Sequence, residues 1–189
     1  MTETQSSQQD VVDVLTADHH AMLDLLRQIQ GNPDPQERRD TADTVIAEVM
    51  RHSVAEEMIV YPAVQKHVPG GDEEVEHDKQ EHDELVDVMK QLEDVDASGA
   101  EFLDLIKTFE DKLDHHVHDE EDEQFPKLRE NIPQGELVEM AEKVEKAKQA
   151  APTRPHPNAP HSELFHKSVG PGVGMVDRLR DKLTGRNTD

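Results

Sequence analysis

Histidine and carboxylate side chains, the donors that hold borderline first-row metal ions, recur in a matched pattern at two places in this chain. His52-Ser-Val-Ala-Glu56-Glu57 runs on to Tyr61-Pro62, and His116-Val-His118-Asp119-Glu120-Glu121 runs on to Phe125-Pro126. Each copy is preceded by a histidine behind an acidic residue, Asp18-His19 for the first and Glu81-His82 for the second. The steps from His19 to His52 and from His82 to His116 are 33 and 34 residues, so a unit of about 63 residues is repeated. A repeat that keeps metal-ligand residue types reads as one metal site assembled from two halves.

Residues four apart on a helix share a face one turn apart. His52 with Glu56, and His116 with Glu120, therefore each present an imidazole and a carboxylate in one direction. With His19 and His82 from two further helices, four imidazoles and two carboxylates converge inside a bundle. That set suits two first-row ions such as iron or manganese, since a carboxylate can bridge two ions whereas an imidazole normally binds one. Calcium and magnesium prefer all-oxygen surroundings. Zinc fits the ligand types, but a two-metal carboxylate site in a helix bundle fits iron better.

The elements that must position these groups are legible in the apolar spacing. Val11, Val12, Leu15, Met22, Leu25, Leu26 and Ile29 recur at three- and four-residue steps and predict an amphipathic helix. Gly31-Asn-Pro-Asp-Pro35 ends it with turn chemistry. A second stripe begins with Ala42, Val45, Ile46, Val49 and Met50 and continues through His52 toward Tyr61. Pro69-Gly-Gly-Asp72 precedes a third stripe, Leu85 to Leu92, and Asp96-Ala-Ser-Gly99 leads into a fourth, Phe102 to Leu113. Four helices with short connections predict an all-α, up-down-up-down four-helix bundle. Pro62 and Pro126 are expected to kink or end their helices, because proline lacks the N–H donor and clashes with the preceding turn. Residues 136–149 read as an additional short helix. The expected organisation is a flexible N-terminus over residues 1–10, a metal-binding helical bundle over 11–150, and a Pro/His/Gly-rich linker with a short terminal helix over 151–189.

Composition limits the partners. The 189 residues carry 43 acidic and 20 basic side chains, a net charge of −23. The body is the acidic part, with 39 acidic and 14 basic residues up to position 150 against 4 and 6 beyond it. Nucleic acid and anionic membranes bind through Lys/Arg clusters, so neither is an expected partner. The absence of cysteine excludes disulfides, thiolate zinc sites and cysteine-ligated iron–sulfur clusters. The polar N-terminus lacks a secretory apolar core and no apolar run reaches membrane-spanning length, which leads to an expectation of a soluble cytoplasmic protein. The basic tail segment Leu179-Arg180-Asp-Lys182-Leu183 offers contact to a protein partner.

On these residues the chain resembles the hemerythrin-like, or HHE cation-binding, family: Asp18-His19, His52-x-x-x-Glu56-Glu57 with Tyr61-Pro62, Glu81-His82, and His116-x-x-x-Glu120-Glu121 with Phe125-Pro126. The resemblance covers roughly residues 11–130. It implies a four-helix bundle with a non-haem di-iron centre, carboxylate- and oxo- or hydroxo-bridged, that meets dioxygen, nitric oxide or peroxide. It further implies His19, His52, His82 and His116 as terminal ligands and Glu56 and Glu120 as bridging carboxylates. The oxygen carriers of that family have another histidine one turn before the third-helix ligand, where this chain has Asp78. Their second carboxylate motif is one residue longer and would select Glu121. Asp78, His77, Glu57 and Glu121 thus remain open as further ligands. Binding or sensing a small oxidant, whether dioxygen, nitric oxide or peroxide, is the expected role, with consumption of hydrogen peroxide or nitric oxide by a di-iron oxidoreductase, or iron handling, as alternatives; the ligand set of a simple reversible oxygen carrier is not reproduced.

The other histidines have plainer readings. His20 and His115 adjoin the candidate ligands but lie about 100° round the helix, where surface or supporting positions are expected. His118 with Asp122 repeats the four-residue spacing, but the Phe125-Pro126 register favours His116. His67, His156, His161 and His166 fall outside the pattern and read as surface or linker positions. Glu74-x-x-His77 matches a ferritin-type motif once and without partners. Tyr61 reads as a packing anchor, and Met50 and Met89 as core.

Overall fold

The structure, a computed structural model, describes residues 9–155, 177 and 181–182. Most of the expected linker and terminal helix lies outside the described residues, as do His156, His161 and His166. Every described element is helical: α1 (Val11–Gly31), α2 (Pro35–Ala55), α3 (Tyr61–His67), α4 (Gly71–Asp94), α5 (Ala100–Asp119), α6 (Phe125–Asn131) and α7 (Gln134–Ala150). The expectation of an all-α bundle is met. The hairpins α1–α2 and α4–α5 associate along α1 and α5, and α7 lies across α1 and α2.

Helix starts follow from local chemistry. Asp10 caps α1 by accepting from the Asp13 N–H, and the Asp13 carboxylate accepts from the Asp10 N–H in return, a reciprocal capping box. Asp34 caps α2 by accepting from the N–H groups of Gln36 and Glu37, with Pro35 in the first turn where its missing donor costs nothing. Gly70 turns the chain into α4 at φ 82°, and Gly71 then passes so close to α3 that an added Cβ would lie 2.4 Å from the Val64 carbonyl oxygen.

The prolines do not end their helices. Between α2 and α3, Glu56–Val60 form a π-helical turn, and between α5 and α6, Glu120–Gln124 form another. In each, a backbone N–H reaches back five residues, Tyr61 to the Glu56 carbonyl and Phe125 to the Glu120 carbonyl. The helical path thus continues, with Pro62 and Pro126 in the first turn of a new α-helix, where proline is tolerated. This corrects the expectation of a stop. The extra residue also changes facing. Five α-helical residues separate Glu56 and Tyr61 by about 140° round the axis, and an inserted residue takes back about 100° of that. Tyr61 and Phe125 are turned into the interior by this step, and both are buried.

Two apolar clusters lie along the bundle. One contains Met22, Leu26, Ile46, Met50, Leu85, Met89, Phe102 and Phe109. The other contains Val11, Leu15, Tyr61, Val64, Phe125, Leu128, Leu137 and Val144. Along α1 the clusters divide at His19, between Leu15 and Met22; along α4 they divide at His82, between Val75 and Leu85. The buried polar layer carrying the candidate ligands sits at that division.

Candidate metal centre

The histidines meet in two pairs. His19 and His52 approach with their Nε2 atoms 3.0 Å apart, and His82 and His116 with theirs 3.2 Å apart. All four are buried. Each imidazole also has its Nδ1 beside a carboxylate: Glu121 at 2.8 Å from His19, Asp18 at 3.4 Å from His52, Glu57 at 3.2 Å from His82, and Glu81 at 2.8 Å from His116. A carboxylate at Nδ1 selects the tautomer whose Nε2 carries a lone pair. Once deprotonated, the four imidazoles would aim their lone pairs inward in twos, an arrangement that a cation between each pair satisfies.

Glu56 and Glu120 complete the layer. Glu56 turns one oxygen to each pair, Oε1 at 3.0 Å from His52 Nε2 and Oε2 at 3.4 Å from His82 Nε2. Glu120 Oε2 lies 3.3 Å from His19 Nε2 and 3.7 Å from His116 Nε2. Among the described residues, neither oxygen of either carboxylate has a hydrogen-bond partner. Buried carboxylate oxygens without donors are costly unless a cation serves them. His19, His52, Glu56 and Glu120 bring one donor atom each within 4.8 Å of one another, as do Glu56, His82 and His116. Donor–donor separations near 3 Å are the edges expected around an ion held at about 2.0–2.1 Å. The residues therefore fit a pair of transition-metal ions sharing Glu56.

With no cation in place, protons balance the charge. Burial opposes protonation of His52, but the Glu56 charge and the Asp18 hydrogen bond overcome it and raise its pKa to about 10. Burial likewise opposes protonation of His82, and the negative charge of the facing Glu56 and Glu57 carboxylates raises it to about 10. Burial would lift Glu56, yet the two facing imidazoliums hold it well below the usual carboxylate range. Burial, reinforced by Glu120, raises Asp78 to about 7. Tyr61 is pushed well above its ordinary value by burial and then by Glu56.

The structure thus brings together all six residues singled out from the sequence. Asp78 is buried on the same side, accepts from Gln124 Nε2 at 2.5 Å and lies near Glu81 and His116. His77 is exposed and faces outward toward Glu81 and Asp119. Glu57 and Glu121 hold the Nδ1 side of histidines. The acids preceding His19 and His82 do orient imidazoles, but not those of their own neighbours: Asp18 serves His52 and Glu81 serves His116, because adjacent helical residues point about 100° apart. His20 and His115 are exposed, as their rotation from the candidate ligands suggested, and His118 is exposed, as the Phe125-Pro126 register suggested.

Sequence reasoning missed two participants. Tyr61 is more than a packing anchor: its hydroxyl lies 3.2 Å from His82 Nε2, and its ring stacks on His82 as Phe125 stacks on His19. Lys148 of α7 reaches Asp18 with its ammonium at 2.7 and 2.8 Å. The aromatic–proline pair was a visible signal for Tyr61, whereas nothing in the spacing pointed to Lys148.

Comparison with known proteins agrees with this geometry. An uncharacterized hemerythrin-like protein of Schizosaccharomyces pombe is 27% identical over 174 residues, covering 92% of this chain and 86% of that protein. A DNA nickase of Nostoc sp. is 28% identical over 145 residues, covering 76% of this chain but only 41% of the nickase. No solved structure matches. The model of the hemerythrin HHE cation-binding domain matches residues 10–128, the span that contains both histidine pairs and both shared carboxylates, and the chain belongs to that family.

Proposed function

We propose that this chain holds two iron ions in a non-haem, carboxylate-bridged centre and binds or senses a small oxidant there, whether dioxygen, nitric oxide or peroxide. The observation that carries the reading is that Glu56 and Glu120 each face both histidine pairs without a hydrogen-bond donor of their own. In it, His19 and His52 hold one ion, His82 and His116 the other, and Glu56 and Glu120 serve both. Iron so held supplies the electrons and the open coordination that a small oxidant needs.

The protein's own part is orientation and exclusion of water. Asp18, Glu57, Glu81 and Glu121 fix the imidazole tautomers, and the flanking apolar clusters keep the layer dry. Tyr61 is buried and kept neutral, so its O–H is available as a donor to an oxygen or nitrogen atom bound beside His82. That donor favours a bound oxidant over simple iron storage. Turnover of peroxide or nitric oxide is the second reading, favoured by Asp78: a buried carboxyl raised to about 7 near His116 can take up or give a proton at neutral pH. Action on DNA is disfavoured, since a net charge of −23 opposes a phosphate backbone.

The test is metal identity and stoichiometry in protein purified without added metal or tag, followed by anaerobic titration with oxygen, nitric oxide and peroxide. Near two irons per chain, with His52→Ala and Glu120→Ala each losing them, is the expected result. Two metals retained by both variants would refute the assignment. Stable reversible spectra would identify binding, and rapid peroxide or nitric oxide loss would identify turnover.

A further inference from the structure

Outside the buried layer, on the solvent face of α4 and α5, a second set of donors converges. His77 Nε2 lies 3.5 Å from Glu81 Oε1 and 3.4 Å from Asp119 Oδ2. His115 Nε2 lies 3.6 Å from the same Glu81 oxygen. Around an ion bound tetrahedrally at 2.0–2.1 Å, neighbouring donors are separated by roughly 3.3–3.4 Å. The His77–Asp119 and His77–Glu81 separations match that edge. A solvent-connected cleft of about 420 Å³, lined in part by Glu81 and His115, opens onto this face.

Proximity of histidine and acid on a charged surface is common, so the decisive observation concerns Glu81. One oxygen, Oε2, holds His116 Nδ1 at 2.8 Å. The other, Oε1, is inaccessible to solvent and, among the described residues, has no hydrogen-bond partner, although it points at His77 and His115. The repeated half shows what such a carboxylate takes. There the corresponding residue is Asp18, which holds His52 Nδ1 and also receives the Lys148 ammonium at 2.7 and 2.8 Å. In one half a cation is built in. In the other, the same place is faced by histidines, whose neutral nitrogens are metal donors.

We propose that His77, Glu81 and Asp119, with His115 beside them, form a separate, exchangeable site for one divalent transition-metal cation such as zinc or cobalt(II). Glu81 is shared, one oxygen toward the outer cation and one toward His116. Imidazole and carboxylate donors at tetrahedral spacing select a borderline ion over calcium or magnesium. Glu81 links this site to the buried layer through His116, whereas His77, Asp119 and His115 lie outside that layer.

The experiment uses the full chain as purified, washed with chelator, with the metal that survives the wash counted separately. Cobalt(II) is then titrated by equilibrium dialysis, with visible absorption reporting its geometry. One additional equivalent with tetrahedral absorption is expected, weakened at least tenfold in His77→Ala and in Asp119→Asn. These side chains are 55% and 34% exposed, so both variants should keep the wild-type helical content. The exposed pair His118 and Asp122 gives the control, and His118→Ala should bind as wild type. No additional equivalent, one undiminished in both variants, or one lost equally in His118→Ala would each overturn the proposal. Because the buried metal is counted first, failure there and failure here are read separately.

Discussion

Loading of the buried centre should expel protons, and the number follows from the geometry. His52 and His82 are raised to about 10, each by buried carboxylates that outweigh the cost of burying an imidazolium. At pH 7 both lie about three pH units below their pKa and are therefore protonated in the metal-free protein. A metal must displace both protons, at a cost of about 4 kcal/mol each at pH 7. The overall loading constant should therefore rise at least about 100-fold per pH unit between 7 and 9, because at least two protons leave, and His19, raised by Glu120 and Glu121, adds to the count wherever it is protonated. The assay is zinc or cobalt(II) competition against a chelator of known pH dependence, with calorimetry in buffers of different ionisation enthalpy to count protons directly. Release of fewer than one proton per chain, or a loading constant flat with pH, would show that the histidines are neutral before loading and refute the argument. The same shifts fix the sign for folding. A raised imidazole pKa stabilises the metal-free fold in full below the unfolded value near 6.5, and that contribution is lost as pH rises through about 10. Metal-free protein should lose thermal stability toward pH 10, whereas metal-loaded protein should not follow it.

Tyr61→Phe removes one hydroxyl from a buried ring that still stacks on His82; metal content should be unchanged, while the dissociation rate of bound nitric oxide or oxygen should rise by roughly tenfold, the value of one hydrogen bond of about 1.4 kcal/mol. An unchanged rate would remove Tyr61 from the ligand pocket. Gly71→Ala places a Cβ against the Val64 carbonyl and should cost about 1–3 kcal/mol in denaturant unfolding; a neutral result would mean that α3 and α4 separate freely. Lys148→Met strips the ammonium from partly buried Asp18 and should cost about 1–3 kcal/mol, with wild-type stability arguing against that ion pair.

The candidate site was legible because helix periodicity fixes which side chains share a face, and a duplicated pattern states the same face twice. His52 with Glu56 and His116 with Glu120 needed only that rule. What it could not supply was the effect of Glu56–Val60 and Glu120–Gln124, whose wider turns have no apolar period of their own. Proline suggested a break there because an unbroken α-helix excludes it, and the π turn is the third option. The crossing of orienting carboxylates was hidden for a related reason. Asp18 reaches His52 and Glu57 reaches His82 between helices, so chain adjacency misdirects. Lys148 lies 130 residues from Asp18, a contact created only by how α7 crosses the bundle.

The polar layer splits the hydrophobic interior into two clusters, and this bears on cooperativity. Without metal, the halves communicate through continuous helix backbones and through ion pairs that depend on pH, whereas apolar burial acts within each half separately. A cation pair held by α1, α2, α4 and α5 at once is a crosslink between all four. Calorimetric and van't Hoff enthalpies should therefore coincide for the loaded protein and diverge for the metal-free one. Metal would then determine whether this bundle melts as one body or as two.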